Sequence, residues 1–307
     1  MRKISWVVKL LVIFICAYIS IKTNNLIKRT KNTLFLTIIH KMKNILKKLI
    51  AVVAVAIAVI SCNKNEEETV AGTGSLKIEF ENGFADNSLV LGSATVPTSQ
   101  NEVLKISSMK FIVSNMVLTK EDGSTFVYPK SESYFIVDVS NPESLLLNLS
   151  AIPAGNYKSI KFGIGIDQAQ YDLGQTGIAN FWATAQTAGM TWGWASGFKF
   201  LAFEGTFTST TVTTDTPFMI HTGKTGTDYN YTEVSLNLPT NALVRTNITP
   251  QIHLSTDLSQ IIDGTNKIYL TDKITSNSVS ILGSDLRLVS LNLTEMFSVE
   301  HVHNDPN

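Results

Sequence analysis

Cysteine is nearly absent from this 307-residue chain, with only Cys16 and Cys62. Both precede the β-patterned body, which therefore has no thiol for a disulfide, a thiolate metal site or a cysteine nucleophile. Charge is also scarce, at 16% of residues, and it is unevenly spread. Residues 1–61 hold eleven Lys or Arg and no Asp or Glu, leaving fourteen basic residues against 25 acidic ones beyond them. A body this acidic offers no electrostatic footprint for phosphate backbones, which excludes nucleic acid as a partner. No G-x-S-x-G, H-E-x-x-H or phosphate-binding loop occurs, so the chain is not expected to be an enzyme. A steady supply of Val, Ile, Leu and Phe, within 44% hydrophobic residues, excludes low-complexity disorder over most of the length.

The front end reads as an address. Residues 42–61 (MKNILKKLIAVVAVAIAVIS) combine a positive start at Lys43, Lys47 and Lys48 with an apolar core from Leu49 to Ile60. That core is too short for a membrane span, which needs about 20 apolar residues. Val59-Ile60-Ser61-Cys62 fits a bacterial lipobox, making Cys62 the expected lipidation site and 62–73 an acidic tether. A lipid on Cys62 would anchor the chain to a membrane in the periplasm, at the outer membrane or at the cell surface. Residues 1–41, with an apolar run from Ile4 to Ile21, are expected to be an upstream extension ahead of a natural start at Met42; the alternative is a membrane segment.

From residue 74 to 300 the pattern predicts one all-β domain. It is read as an antiparallel β-sandwich of the immunoglobulin-like, Greek-key type, with long loops and one or two short helices. Leu76, Ile78 and Phe80 alternate with Lys77 and Glu79, alternation recurs in 198–207 and 231–238, and 109–118 and 157–166 read as apolar-rich strands. Gly163 and Gly165 mark a bulge or a close approach. Helix is expected only at 258–262 and 285–297. Residues 167–190 read as a long polar loop, of the kind that carries function or covers something.

The residues that carry chemistry are few. Met190, Trp192 and Trp194 fall in MTWGWASGF, where extended spacing puts both indoles on one face. They read as a hydrophobic lid, a sugar-stacking shelf, or neighbours of a metal or redox partner. His221, at an apolar strand end running into Gly223, is a candidate metal ligand; the plain alternative is a satisfied, half-buried imidazole. His301 and His303 would share one face if extended, forming a two-imidazole clamp for copper or nickel, or else a frayed tail. His253 alternates with Ile252 and Leu254 and reads as a surface residue. Asp138, Asp167, Asp172 and Glu204 are candidates for a calcium site or for structural caps, although no EF-hand spacing is present.

The order of motifs is more specific than any one of them. LKIEFENGFADNSLVL, KISSMKFIVSNMVLTKEDGS, SYFIVDVSNPES, IPAGNYKSIKFGIGID, GMTWGWASGFKFLAFEG and FMIHTG follow one another. Together they resemble the MbnP-like copper-binding family over roughly residues 74–295, in the lipid-anchored form typical of Bacteroidota. The resemblance implies a periplasmic β-sandwich that binds copper through imidazole. It also implies a tryptophan oxidised to kynurenine by a dihaem peroxidase partner, Trp192 or Trp194 in this chain, with His221 as the histidine of F-x-x-H-x-G. After His221 the chain reads TGKTGTDYN, without the cysteine that some relatives carry nearby. A non-catalytic surface module binding glycan or protein through the two indoles is the alternative function.

Overall fold

The computed structural model describes Ser20 and residues 39–43, 70–174, 177–193 and 197–306. The chain divides into two units, Met1–Thr69 and Val70–Asn307. In the first, residues 39–43 are helical. The apolar run Leu49–Ile60 expected to form a signal-peptide core, the expected lipidation site Cys62 and residues 63–69 lie outside the described residues, as does Trp194 in the second unit.

The alternation in the sequence becomes strands. β1 (Thr73–Phe84) buries Leu76, Ile78 and Phe80 on one face and turns Lys77, Glu79 and Glu81 to the other. After it come β2 (Asn87–Ser88), β3 (Val103–Lys120), β4 (Thr125–Val127), β5 (Tyr134–Asp138), β6 (Leu146–Pro153) and β7 (Gly155–Ile164). Beyond residue 190 follow β8 (Lys199–Thr208), β9 (Thr216–Thr225), β10 (Asp228–Tyr229), β11 (Thr232–Val244) and β12 (Gln251–Asp257). β13 (Ile274–Thr275), β14 (Ser278–Ser280) and β15 (Phe297–His303) complete the set among the described residues.

Two sheets form an all-β sandwich. In the five-stranded sheet β1 lies between β12 and β6, with β15 beyond β12 and β2 at the end of β1. The ten-stranded sheet runs β11-β7-β3-β8-β9-β14-β13, with β4 and β5 also on β3 and β10 on β9. Pairing is antiparallel except for β1 with β12 and β9 with β14, which are parallel. Phe80 of β1 crosses between the sheets to Phe111 of β3 and Phe162 of β7, with ring centroids 5.6 and 6.2 Å apart and edge-to-face geometry. Phe297, the first residue of β15, closes this group at 5.3 Å from Phe162. Such pairs add to the burial of the rings themselves.

The helices depart from the sequence reading. Residues 167–190 are not one loop: they contain α1 (Gln168–Asp172) and α2 (Ala179–Thr187). These cover a second apolar cluster that includes Ile112, Ile166, Phe181, Met190, Phe198 and Phe200. The stretch 258–262 yields α3 (Gln260–Asp263), which buries Ile261 and Ile262. The helix expected over 285–297 is α4 (Ser284–Asn292) and stops earlier, because Phe297 is drawn into β15 and the core. Gly163 and Gly165 are close-approach positions, as expected. A Cβ on Gly163 would collide with the Tyr231 ring, and Gly165, at φ +103°, lies against Phe200.

Candidate functional site

β8 and β9 pair antiparallel with Ala202 opposite His221 and Glu204 opposite Met219. Glu204 and His221 are therefore diagonal neighbours on one face. His221 Nε2 lies 2.6 Å from Glu204 Oε1. A carboxylate oxygen accepts, so Nε2 carries the proton and Nδ1 keeps its lone pair. Burial holds the His221 imidazole below its ordinary value of 6.5, outweighing the hydrogen bond it donates to Glu204, which pulls the other way. At neutral pH this is an uncharged imidazole.

Trp192 completes the group. The bridge between Thr191 and Phe198 folds the MTWGWASGF segment back on itself, and the Trp192 amide donates to Gly197 O at 3.1 Å. The indole centroid lies 6.0 Å from the His221 ring, and Lys199 Nζ is 6.0 Å from the indole. Gly223 gives the indole room, since a Cβ there would stand 3.1 Å from Trp192 Cζ2. Trp192 of the W-x-W motif and His221 of the F-x-x-H-x-G motif thus meet in space. Met190 is fully buried beneath, in the cluster covered by α2. Trp182 of α2 packs edge-on against Phe198 at 5.0 Å.

His301 and His303 do not join this group. They lie on β15 of the five-stranded sheet and share a face there, as the spacing predicts, with their rings 4.7 Å apart. Their partner is His253, whose ring stacks on His301 at 4.3 Å. The reading of His253 as a plain surface residue misses this. It does alternate outward from Ile252 and Leu254, but neighbouring side chains leave its own only 12% exposed. Alternation revealed its face; the neighbours come from strands 40 or more positions away, which no local pattern shows.

Of the carboxylates proposed for calcium, Glu204 holds His221, and Asp138 and Asp167 serve turns, caps and ion pairs. Asp138 accepts from Ser140 N and Oγ and pairs with Lys110 at 3.1 Å. Asp167 caps α1 through Gln170 N and pairs with Lys130. Among the described residues, two groups of three bring possible metal-donor atoms within 4.8 Å of one another: His253, His301 and His303, and Glu79, Glu81 and His253. Neither contains Asp138, Asp167, Asp172, Glu204 or His221.

The sequence pattern of the MbnP family matches residues 73–281, which include β1 to β14 and both motifs of the Trp192–His221 group. The chain belongs to the MbnP family. Among solved structures it is similar to MbnP from Methylosinus trichosporium, at 13% identity and a TM-score of 0.42, over 69% of this chain and 82% of that one. No curated protein matches.

Proposed function

We propose that this MbnP-family chain is a lipid-anchored, non-catalytic copper-binding protein of the cell envelope, tethered through Cys62, with His221 as a copper ligand. The observation that carries the reading is the convergence of His221 and Trp192, from two separate family motifs, at 6.0 Å between rings. The residues fit copper. A neutral imidazole whose second nitrogen donates to a carboxylate is the usual state of a metal-binding histidine, and Glu204 fixes that state here. Bound copper would supply a soft, redox-active centre, and an aromatic wall with little water favours its lower charge state.

Trp192 supplies that wall and is the residue proposed for oxidation to kynurenine by a dihaem peroxidase partner. The product's aromatic amine would add a nitrogen donor beside His221. A sugar-stacking shelf has less support. Trp192 lies against His221 and Gly223 rather than standing open, and it is only partly exposed.

Anaerobic loading with Cu(I), followed by elemental analysis, tests the ligand. The wild-type chain is expected to retain one more copper equivalent than His221→Ala, and equal retention removes His221 from the site. Peptide mass mapping of envelope-purified protein tests the modification. Kynurenine is expected at Trp192, by loss of one carbon and gain of one oxygen, and unmodified indole there rejects that part.

A further inference from the structure

We propose that the outward face of the five-stranded sheet holds a second metal site, for an imidazole-seeking divalent transition-metal ion, built by His253, His301 and His303. Register brings the ligands together. Glu79 of β1 pairs with His253 of β12, which pairs with His301 of β15, so the three form one row; Gln251 and His303 form the next. The inward neighbours Ile78, Ile252 and Leu254 are fully buried, which fixes the row's outward direction. His301 and His303 lie beyond residue 281, outside the segment that the family pattern matches. This site is independent of the Trp192–His221 reading.

The orientation of the rings carries the argument. Each Nδ1 faces a carboxylate: His253 has Glu81 at 2.9 Å and Glu79 at 3.2 Å, while His301 has Glu300 and His303 has Asp305, both at 3.9 Å. For His253 this places the proton on Nδ1, and the Gln251 side-chain amide donates to Nε2 at 3.1 Å, so that nitrogen holds the lone pair. A carboxylate hydrogen-bonded behind the far nitrogen is what fixes the tautomer and aim of a metal-binding histidine, and His253 has it; Glu300 and Asp305, at 3.9 Å, add negative charge beside the other two rings. His301 Nε2 and His303 Nε2 are 3.1 Å apart. Two nitrogens each about 2.1 Å from a single ion would subtend about 95° at that separation. Gln251 and Lys77 line the adjoining pocket with His253, His303 and Asp305, giving an ion access from solvent. Four carboxylates surround three imidazoles, with Lys77 as the nearby cation, so the charge balance favours a divalent ion. Imidazole donors without thiolate suit Zn(II), Ni(II) and Cu(II).

Zn(II) is the probe. After chelator treatment, the full chain is titrated with Zn(II) by calorimetry beside three variants. The wild type is expected to bind one equivalent that His301→Ala/His303→Ala loses, and both positions are exposed enough for the fold to tolerate the change. His221→Ala is expected to keep that equivalent, which separates this site from the copper reading. Glu79→Gln/Glu81→Gln is expected to weaken binding about 10- to 100-fold. With Cu(II), the wild type is expected to show nitrogen hyperfine splitting that the double histidine variant lacks. Wild-type binding no tighter than that of His301→Ala/His303→Ala, or an equivalent lost in His221→Ala instead, overturns the proposal.

Discussion

Burial and a hydrogen bond to Glu204 act in opposite directions on the His221 imidazole. Glu204 stabilises its protonated form, yet burial wins and keeps the ring neutral. The folded chain therefore takes up this proton less readily than the unfolded chain does. The stability His221 contributes by this route is complete above its ordinary value of 6.5 and is lost as the pH falls below it. Urea denaturation on either side of about pH 6.5 is expected to show a larger acid loss in the wild type than in His221→Gln, because the variant has no proton to take up. Equal losses would mean that burial does not hold this ring neutral. The same neutrality leaves Nδ1 free of a proton for a ligand's role.

Elements were legible in proportion to how local their causes are. Leu76, Ile78 and Phe80 announced β1 because burial on one face imposes a period of two. The shared face of His301 and His303 was legible for the same reason. α1 and α2 were not, because each is short and neither carries an apolar stripe long enough to stand out from a loop. What holds α1 is a distant set of partners. Burial alone would raise the Asp167 carboxyl, but hydrogen bonds from Lys130, Asn115 and the Gln170 amide hold it below its ordinary value. Removing it uncaps a five-residue helix that could not persist by propensity alone. Asp167→Ala is expected to cost about 1–2 kcal/mol, read from the urea midpoint by tryptophan fluorescence. An unchanged midpoint would show that the cap contributes nothing to the covering of Phe198 and Phe200. The His253 cluster was hidden for a related reason: the parallel pairing of β1 with β12 joins positions 174 apart, such as Lys77 and Gln251.

The β-rich unit as a whole has two apolar clusters but one set of strands to hold them. On β3, Phe111 and Val113 face the main core, while Ile112 between them faces the cluster beneath α2. On β8, Leu201 and Phe203 flank Ala202 in the same way. Neither cluster can lose its order without unpairing strands on which the other depends, so the unit should unfold in one step. Phe80 is the residue whose removal tests this. It joins the sheets through Phe111 and Phe162, packs on Phe297 of its own sheet, and belongs to the main core. Phe80→Ala is expected to cost about 3–5 kcal/mol through the cavity it leaves. Of the described tryptophans of this unit, Trp182 packs against the outer cluster and Trp192 lies against His221, and neither belongs to the main core. If the clusters share one fate, their fluorescence transition moves to lower urea together with the far-ultraviolet strand signal, and by the same amount. A fluorescence midpoint that stays in place while the strand signal shifts would show two independent cores and end the one-step account.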